Sequence, residues 1–134
     1  MRMIFVNLPV RDLERSKAFF TALGFSINPQ FSNETSASIV VDETIFFQLH
    51  THARFKDFIT GEIGDAFKAT QVLNALSAAS RAEVEEIAAK AKAAGATPWM
   101  PAQDHGFMYL ESFQDLDGHV WEVFWMDPAA VQKS

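Results

Sequence analysis

Gly24 and Gly95 each close a run with the apolar spacing of a helix, and they stand 71 positions apart (95 − 24). That repeated stop signal constrains the fold more than any other feature of the chain. Ahead of Gly24, residues Leu13, Ser16, Phe20 and Leu23 recur on one helical face. Asp12 stands at the N-cap position, and Glu14 lies in the first turn, where a carboxylate suits the helix dipole. Ahead of Gly95, Ser80 and Glu83 form an S-x-x-E capping box. Val84, Ile87, Ala88 and Ala91 line that helix's apolar face, and Lys90 and Lys92 lie near the end that favours cations.

Each helix follows one strand-like run and precedes three more. The runs are 3–9, then 25–31, 36–41 and 44–50 in the first half; they are about 70–77, then 97–100, 106–113 and 119–126 in the second. Asn33-Glu34, Asp42-Glu43 and the stretch 114–118 carry turn chemistry. Residues 52–60 read as a short helical linker closed by Gly61, and those after Pro128 as a frayed tail.

This order predicts an α+β fold of two tandem βαβββ modules, about 1–60 and about 68–127, in one domain spanning 1–134. The duplication rests on matching elements and caps, because residue identity between the halves is poor. Neither half buries its sheet face alone. Eight strands in one concave mixed sheet, with two helices behind it, are the economical solution. Thirteen Phe and three Trp against one Tyr call for a large core, an apolar cavity, or both.

Seventeen acidic residues outnumber eleven basic ones, and no basic cluster exists, so nucleic-acid binding lacks its electrostatic footprint. The absence of cysteine removes disulfides, thiolate nucleophiles and cysteine metal sites. No leader peptide and no apolar run of membrane-spanning length is visible, so a cytoplasmic location is expected. No Ser/His/Asp arrangement, phosphate loop or dinucleotide fingerprint stands out.

The opening Val6-Asn7-Leu8-Pro9-Val10-Arg11-Asp12-Leu13, the helix end Ala18-Phe19-Phe20 with Leu23-Gly24-Phe25, and the closing Asp115-Leu116-Asp117-Gly118-His119-Val120-Trp121-Glu122 together resemble the vicinal-oxygen-chelate superfamily. That superfamily holds glyoxalases, bleomycin-resistance proteins and extradiol dioxygenases. The stretches 103–109 and 121–127 are similar to a bacterial subgroup described as predicted lactoylglutathione lyases. The resemblance covers residues 3–127 and implies a homodimer handling a small molecule. Fold alone does not fix which one.

Metal-dependent relatives take one ligand from the first and last strand of each module. By resemblance those positions are Phe5, Gln48, Leu73 and Glu122. Two cannot bind a cation, so no glyoxalase-type metal site is expected. A divalent site using Gln48, His50 and Glu122, with Asn7 beside them, is the alternative. Glu122 is a candidate general base, since a carboxylate in an apolar run suits proton abstraction. His105 and Tyr109 are further catalytic candidates. Phe5, Asn7, Phe46, Gln48, Leu73, Trp99, Phe107 and Phe124 are the expected ligand-binding residues. The expectation is a binding protein for an apolar or aromatic molecule. A lyase or isomerase of lactoylglutathione-lyase type is the first alternative. An extradiol-type dioxygenase is the second, with only Glu122 matching its iron triad.

Overall fold

A computed structural model describes residues 1–130. The chain divides into two compact units, the first ending at Asp65 and the second beginning at Ala66.

The first unit runs β1 (Ile4–Val10), α1 (Leu13–Ala22), β2 (Ser26–Asn28), β3 (Ser36–Asp42), β4 (Ile45–Thr51) and a single helical turn, α2 (His52–Phe55). Its four strands lie in the order β1-β4-β3-β2. β1 pairs parallel to β4, and the remaining pairings are antiparallel. α1 packs against β2, β3 and β4. Alternation along the strands sends Leu8, Val10, Phe47, Leu49, Ala37 and Ile39 into the core with Phe19, Phe20 and Leu23.

The second unit runs β5 (Leu73–Ser77), α3 (Arg81–Ala93), β6 (Thr97–Pro98), β7 (Gln103–Asp104), β8 (Met108–Gln114) and β9 (Val120–Met126). Its sheet has the order β5-β9-β8-β6, with β7 also on β8. α3 packs on β8 and β9 over Phe113, Trp121 and Val123. The first unit therefore has the βαβββ strand order that the sequence predicts, and the second repeats it with one additional short strand, β7.

The repeat is most visible at the helix ends. Asp12 Oδ1 accepts from the Arg15 N–H, and Ser80 Oγ accepts from the Glu83 N–H; both are bonds to the third helical residue. Glu83 reaches back to the N–H of Ala79 at 3.2 Å. Both C-termini close identically. Gly24 (φ 104°) donates to Thr21 O while Phe25 donates to Phe20 O; Gly95 (φ 105°) donates to Lys92 O while Ala96 donates to Ala91 O. This double bond pattern needs a left-handed residue after the helix, which glycine supplies at least cost.

Several boundaries differ from the sequence reading. The run 25–31 is cut to Ser26–Asn28, because Asn28 Oδ1 accepts from Gln30 and Pro29 has no N–H for a ladder; Pro29–Phe31 becomes a 3-10 turn. The run 70–77 starts only at Leu73, where pairing to Val120 begins. The run 97–100 keeps only Thr97–Pro98, and Ser112 Oγ takes over the Met100 N–H at 3.1 Å. Gln103–Asp104 adds a ninth strand against Tyr109 and Leu110. Pro128–Ala130 is a 3-10 turn, and the rest of the expected tail lies outside the described residues.

Candidate functional site

In the first unit the face of the sheet opposite α1 carries four of the eight predicted binding residues, Phe5, Asn7, Phe46 and Gln48. The β1–β4 register places Phe5 beside Phe46, Asn7 beside Gln48 and Pro9 beside His50. Across β3, Ser36 pairs with His50 and Ser38 with Gln48. Phe5 and Phe46 stack with ring centroids 4.8 Å apart and planes 10° from parallel. Phe5 remains 49% exposed, so this stack is not core. Phe31 and Phe58 are also exposed.

A polar chain lies next to the stack. Ser36 Oγ is 2.6 Å from His50 Nδ1, and His50 Nε2 is 2.8 Å from Asn7 Oδ1. Asn7 Nδ2 lies 3.4 Å from the Phe5 carbonyl, which turns the amide nitrogen to that side and the oxygen to His50. An amide oxygen only accepts, so His50 carries its proton on Nε2 and takes the Ser36 hydroxyl proton on Nδ1. Burial, and then the Arg54 guanidinium, hold the imidazole below its ordinary pKa, which favours this neutral tautomer. The Phe58 ring sits 5.0 Å from His50, and the Arg54 guanidinium lies 4.6 Å from the centre of that ring. The sequence reading missed Ser36 and this chain. The alternating Ser36-x-Ser38 was its only trace.

In the second unit the face opposite α3 carries Glu122, Phe124 and Leu73. Glu122 lies beside Ala75 on β5 and Ser112 on β8. Its carboxylate is half-buried and makes no hydrogen bond or ion pair among the described residues. Ser112 cannot serve it directly, since its hydroxyl is engaged with Met100 N and O. Leu73 is exposed; Trp99 and Phe107 are also exposed, on the segments flanking β7.

Tyr109 and His105 are not brought to Glu122. Tyr109 is opposite Trp125, on the helix-facing side, whereas Glu122 is on the other. Its hydroxyl donates to Glu111 at 2.9 Å, and the Arg81 guanidinium covers its ring at 4.1 Å. Arg81 also pairs with Asp104 and Glu85. Together these contacts clamp β7 and β8 onto α3. His105 is exposed in the β7–β8 turn, 3.4 Å from Gln103 Oε1. Its N–H bonds Met108 O, four residues along β8 from Ser112, which is roughly 13 Å of strand.

Residues 2–41 match the family described as bleomycin resistance protein-like N-terminal. The hypothetical protein SA1046 of S. aureus superposes with a TM-score of 0.79 at 26% identity, over 93% of this chain and 94% of that one. A glyoxalase/bleomycin resistance protein/dioxygenase family enzyme from Burkholderia phytofirmans PsJN superposes at 0.75 with 16% identity, over 94% and 99%. These superpositions show that the chain has the glyoxalase/bleomycin-resistance/dioxygenase fold. TioX from Micromonospora sp. ML1 superposes at 0.68 with 19% identity, over 94% and 99%. No curated protein matches this chain in sequence.

The superfamily's metal can be tested against the donors present. The first-strand positions carry the Phe5 benzyl ring and the Leu73 isobutyl group, neither of which donates an electron pair to a cation. In the alternative set, both His50 nitrogens are already engaged by Ser36 and Asn7. Among the described residues no group of three or more His, Cys, Asp or Glu is placed to hold an ion. The residues at these positions do not fit a four-ligand glyoxalase centre. Nor is any helix among the described residues long and apolar enough to cross a membrane.

Proposed function

We propose that this protein binds an apolar or aromatic small molecule in the manner of the bleomycin-resistance branch, without the glyoxalase metal. The observation that carries the reading is the half-exposed Phe5–Phe46 stack on the open face of β1 and β4. Two parallel rings with one outer face in water gain from covering that face. Aromatic stacking adds roughly 0.5–1.5 kcal/mol beyond area burial. The neighbouring amides of Asn7 and Gln48 supply the few polar contacts that orient a ligand in an apolar site. On the resemblance noted in the sequence we further propose a cytoplasmic homodimer, and sedimentation at micromolar concentration tests the dimer.

Thermal shift against a panel of planar aromatic compounds tests the binding. A rise in Tm for some of them, abolished by Phe46→Ala, supports the reading. A flat response across the panel sinks it.

One observation favours an enzyme of lyase or isomerase type instead: the unpaired, half-buried Glu122 carboxylate, free to take a proton from carbon next to a carbonyl. The reading ranks second because Ser112, the donor beside it, is committed to Met100, leaving no neighbour to stabilise an enolate. Turnover of the methylglyoxal–glutathione hemithioacetal, lost in Glu122→Gln, would reverse that ranking; Zn²⁺ and Ni²⁺ are added in parallel.

A further inference from the structure

The open face of the first sheet holds two amides whose orientations are fixed by groups that cannot turn. Gln48 Nε2 donates to the Phe31 carbonyl at 3.2 Å. Flipping this amide would set oxygen against oxygen, so its Oε1 is held away from Phe31, and it accepts no hydrogen bond among the described residues. Asn7 is fixed at both ends. Its Oδ1 accepts the His50 Nε2 proton, and its Nδ2 turns to the Phe5 carbonyl over a long 3.4 Å. An NH₂ group has two protons, so Asn7 Nδ2 retains a second N–H with no acceptor among the described residues.

These two side chains are register partners on adjacent strands, with backbones about 4.8 Å apart. One strand thus presents a donor and its neighbour an acceptor, on the same face. The Phe5–Phe46 stack is the next register pair along the same two strands. A ligand that covers the rings therefore has its edge beside the amides. An edge with one acceptor and one donor side by side satisfies both; two donors, two acceptors or bare carbon do not.

We propose that this face recognises a planar ligand with a cis-amide edge (a lactam, cyclic urea or primary aryl carboxamide). The Asn7 Nδ2–H donates to its carbonyl, Gln48 Oε1 accepts from its N–H, and the Phe5–Phe46 stack carries its ring. The proposal rests on the binding reading above and adds the chemical class of the ligand.

The test uses the full chain and three probes: 2-quinolone, N-methyl-2-quinolone and naphthalene. The methyl group removes only the donor, and naphthalene removes the whole edge while keeping the bicyclic ring. Affinities come from isothermal titration. The side-chain amide resonances of Asn7 and Gln48 are followed in ¹H–¹⁵N spectra. The proposal expects 2-quinolone to bind about tenfold more tightly than its N-methyl derivative, and to move both amide resonances. Gln48→Met should remove that preference. Equal affinities for the two quinolones in the wild-type chain, with naphthalene also bound, overturn the edge recognition and leave the aromatic site standing. No binding of any probe, naphthalene included, overturns the aromatic site and this proposal together.

Discussion

His50 donates its Nε2 proton to Asn7 Oδ1 across 2.8 Å, from one strand of the first sheet to its neighbour. That bond sets the tautomer of a buried imidazole, the orientation of an amide on the open face, and the role of Ser36 at the other ring nitrogen. A buried polar chain of this kind stabilises only while each member is satisfied.

The chain makes stability depend on pH. Burial, followed by Arg54, lowers the His50 pKa in the folded state below its ordinary value near 6.5. The unfolded chain therefore binds the proton first as pH falls. The contribution of neutral His50 is fully present above about pH 6.5 and is lost progressively below it. Urea titrations at pH 7.5 and 5.5 should show that loss, and His50→Gln should flatten the slope assigned to this residue. His50→Leu should cost about 1–3 kcal/mol at pH 7.5, because Ser36 and Asn7 both lose their partner. An unchanged midpoint in the leucine variant would show that the chain carries no stability.

Phe5 separates binding from folding. It is 49% exposed, so Phe5→Ala forfeits little core area and should cost under about 1 kcal/mol. The same change removes the outer ring of the stack, so affinity for any planar aromatic ligand should fall roughly tenfold. Chemical denaturation and titration of the same preparation check both halves. A variant that loses stability but keeps its affinity contradicts the assignment.

A buried carboxylate holds the turn before β9. Asp115 Oδ1 accepts from the N–H groups of Asp117 and His119, while Oδ2 accepts from the Trp121 indole at 2.9 Å. Burial nevertheless raises the Asp115 pKa above its ordinary value of 3.8. The folded state then holds the proton longer than the unfolded one, so stability falls as pH rises from near 4 through the folded pKa. Trp121→Phe takes away the indole donor and leaves Oδ2 short of a partner. It should cost about 2 kcal/mol or more at pH 7, and less at pH 4, where the neutral acid needs that donor less. Denaturation of both proteins at the two pH values provides the comparison. A cost independent of pH would assign the whole effect to lost ring volume.

Much of this was legible in the sequence because cap chemistry is local. Asp12, Ser80, Gly24 and Gly95 act within a few residues, and they marked both helices and the repeat. Alternation put Phe5, Phe46, Asn7 and Gln48 on one face, since β1 and β4 are regular from end to end. Contacts that depend on pairing register were not legible. Ser36 meets His50 only through the β3–β4 alignment, and that pair slips a residue between Val40 and Asp42. Tyr109 could have been placed: the turn pairs Gln114 with Val120, so counting outward sets Ser112 against Glu122 and Tyr109 on the far face. The short strands failed where Pro29 removed a donor and where Ser112 took over the Met100 N–H.

The same turn contains a position where glycine is required twice over. Gly118 has φ +86°, a conformation costly for residues with a side chain. A Cβ built there would lie 2.7 Å from Phe67 N and 2.9 Å from Ala66 C, both main-chain atoms that cannot swing away. Gly118→Ala must therefore accept backbone strain of about 1–2 kcal/mol and also displace the 66–67 segment. The summed loss should reach at least about 3 kcal/mol. Gly106 (φ +78°) separates the two causes, because nothing lies within 4 Å of a Cβ there. Gly106→Ala should show the conformational cost alone, about 1–2 kcal/mol. Thermal or urea denaturation of the two variants gives the difference directly. If they are equally destabilised, the close approach of Phe67 has no energetic weight.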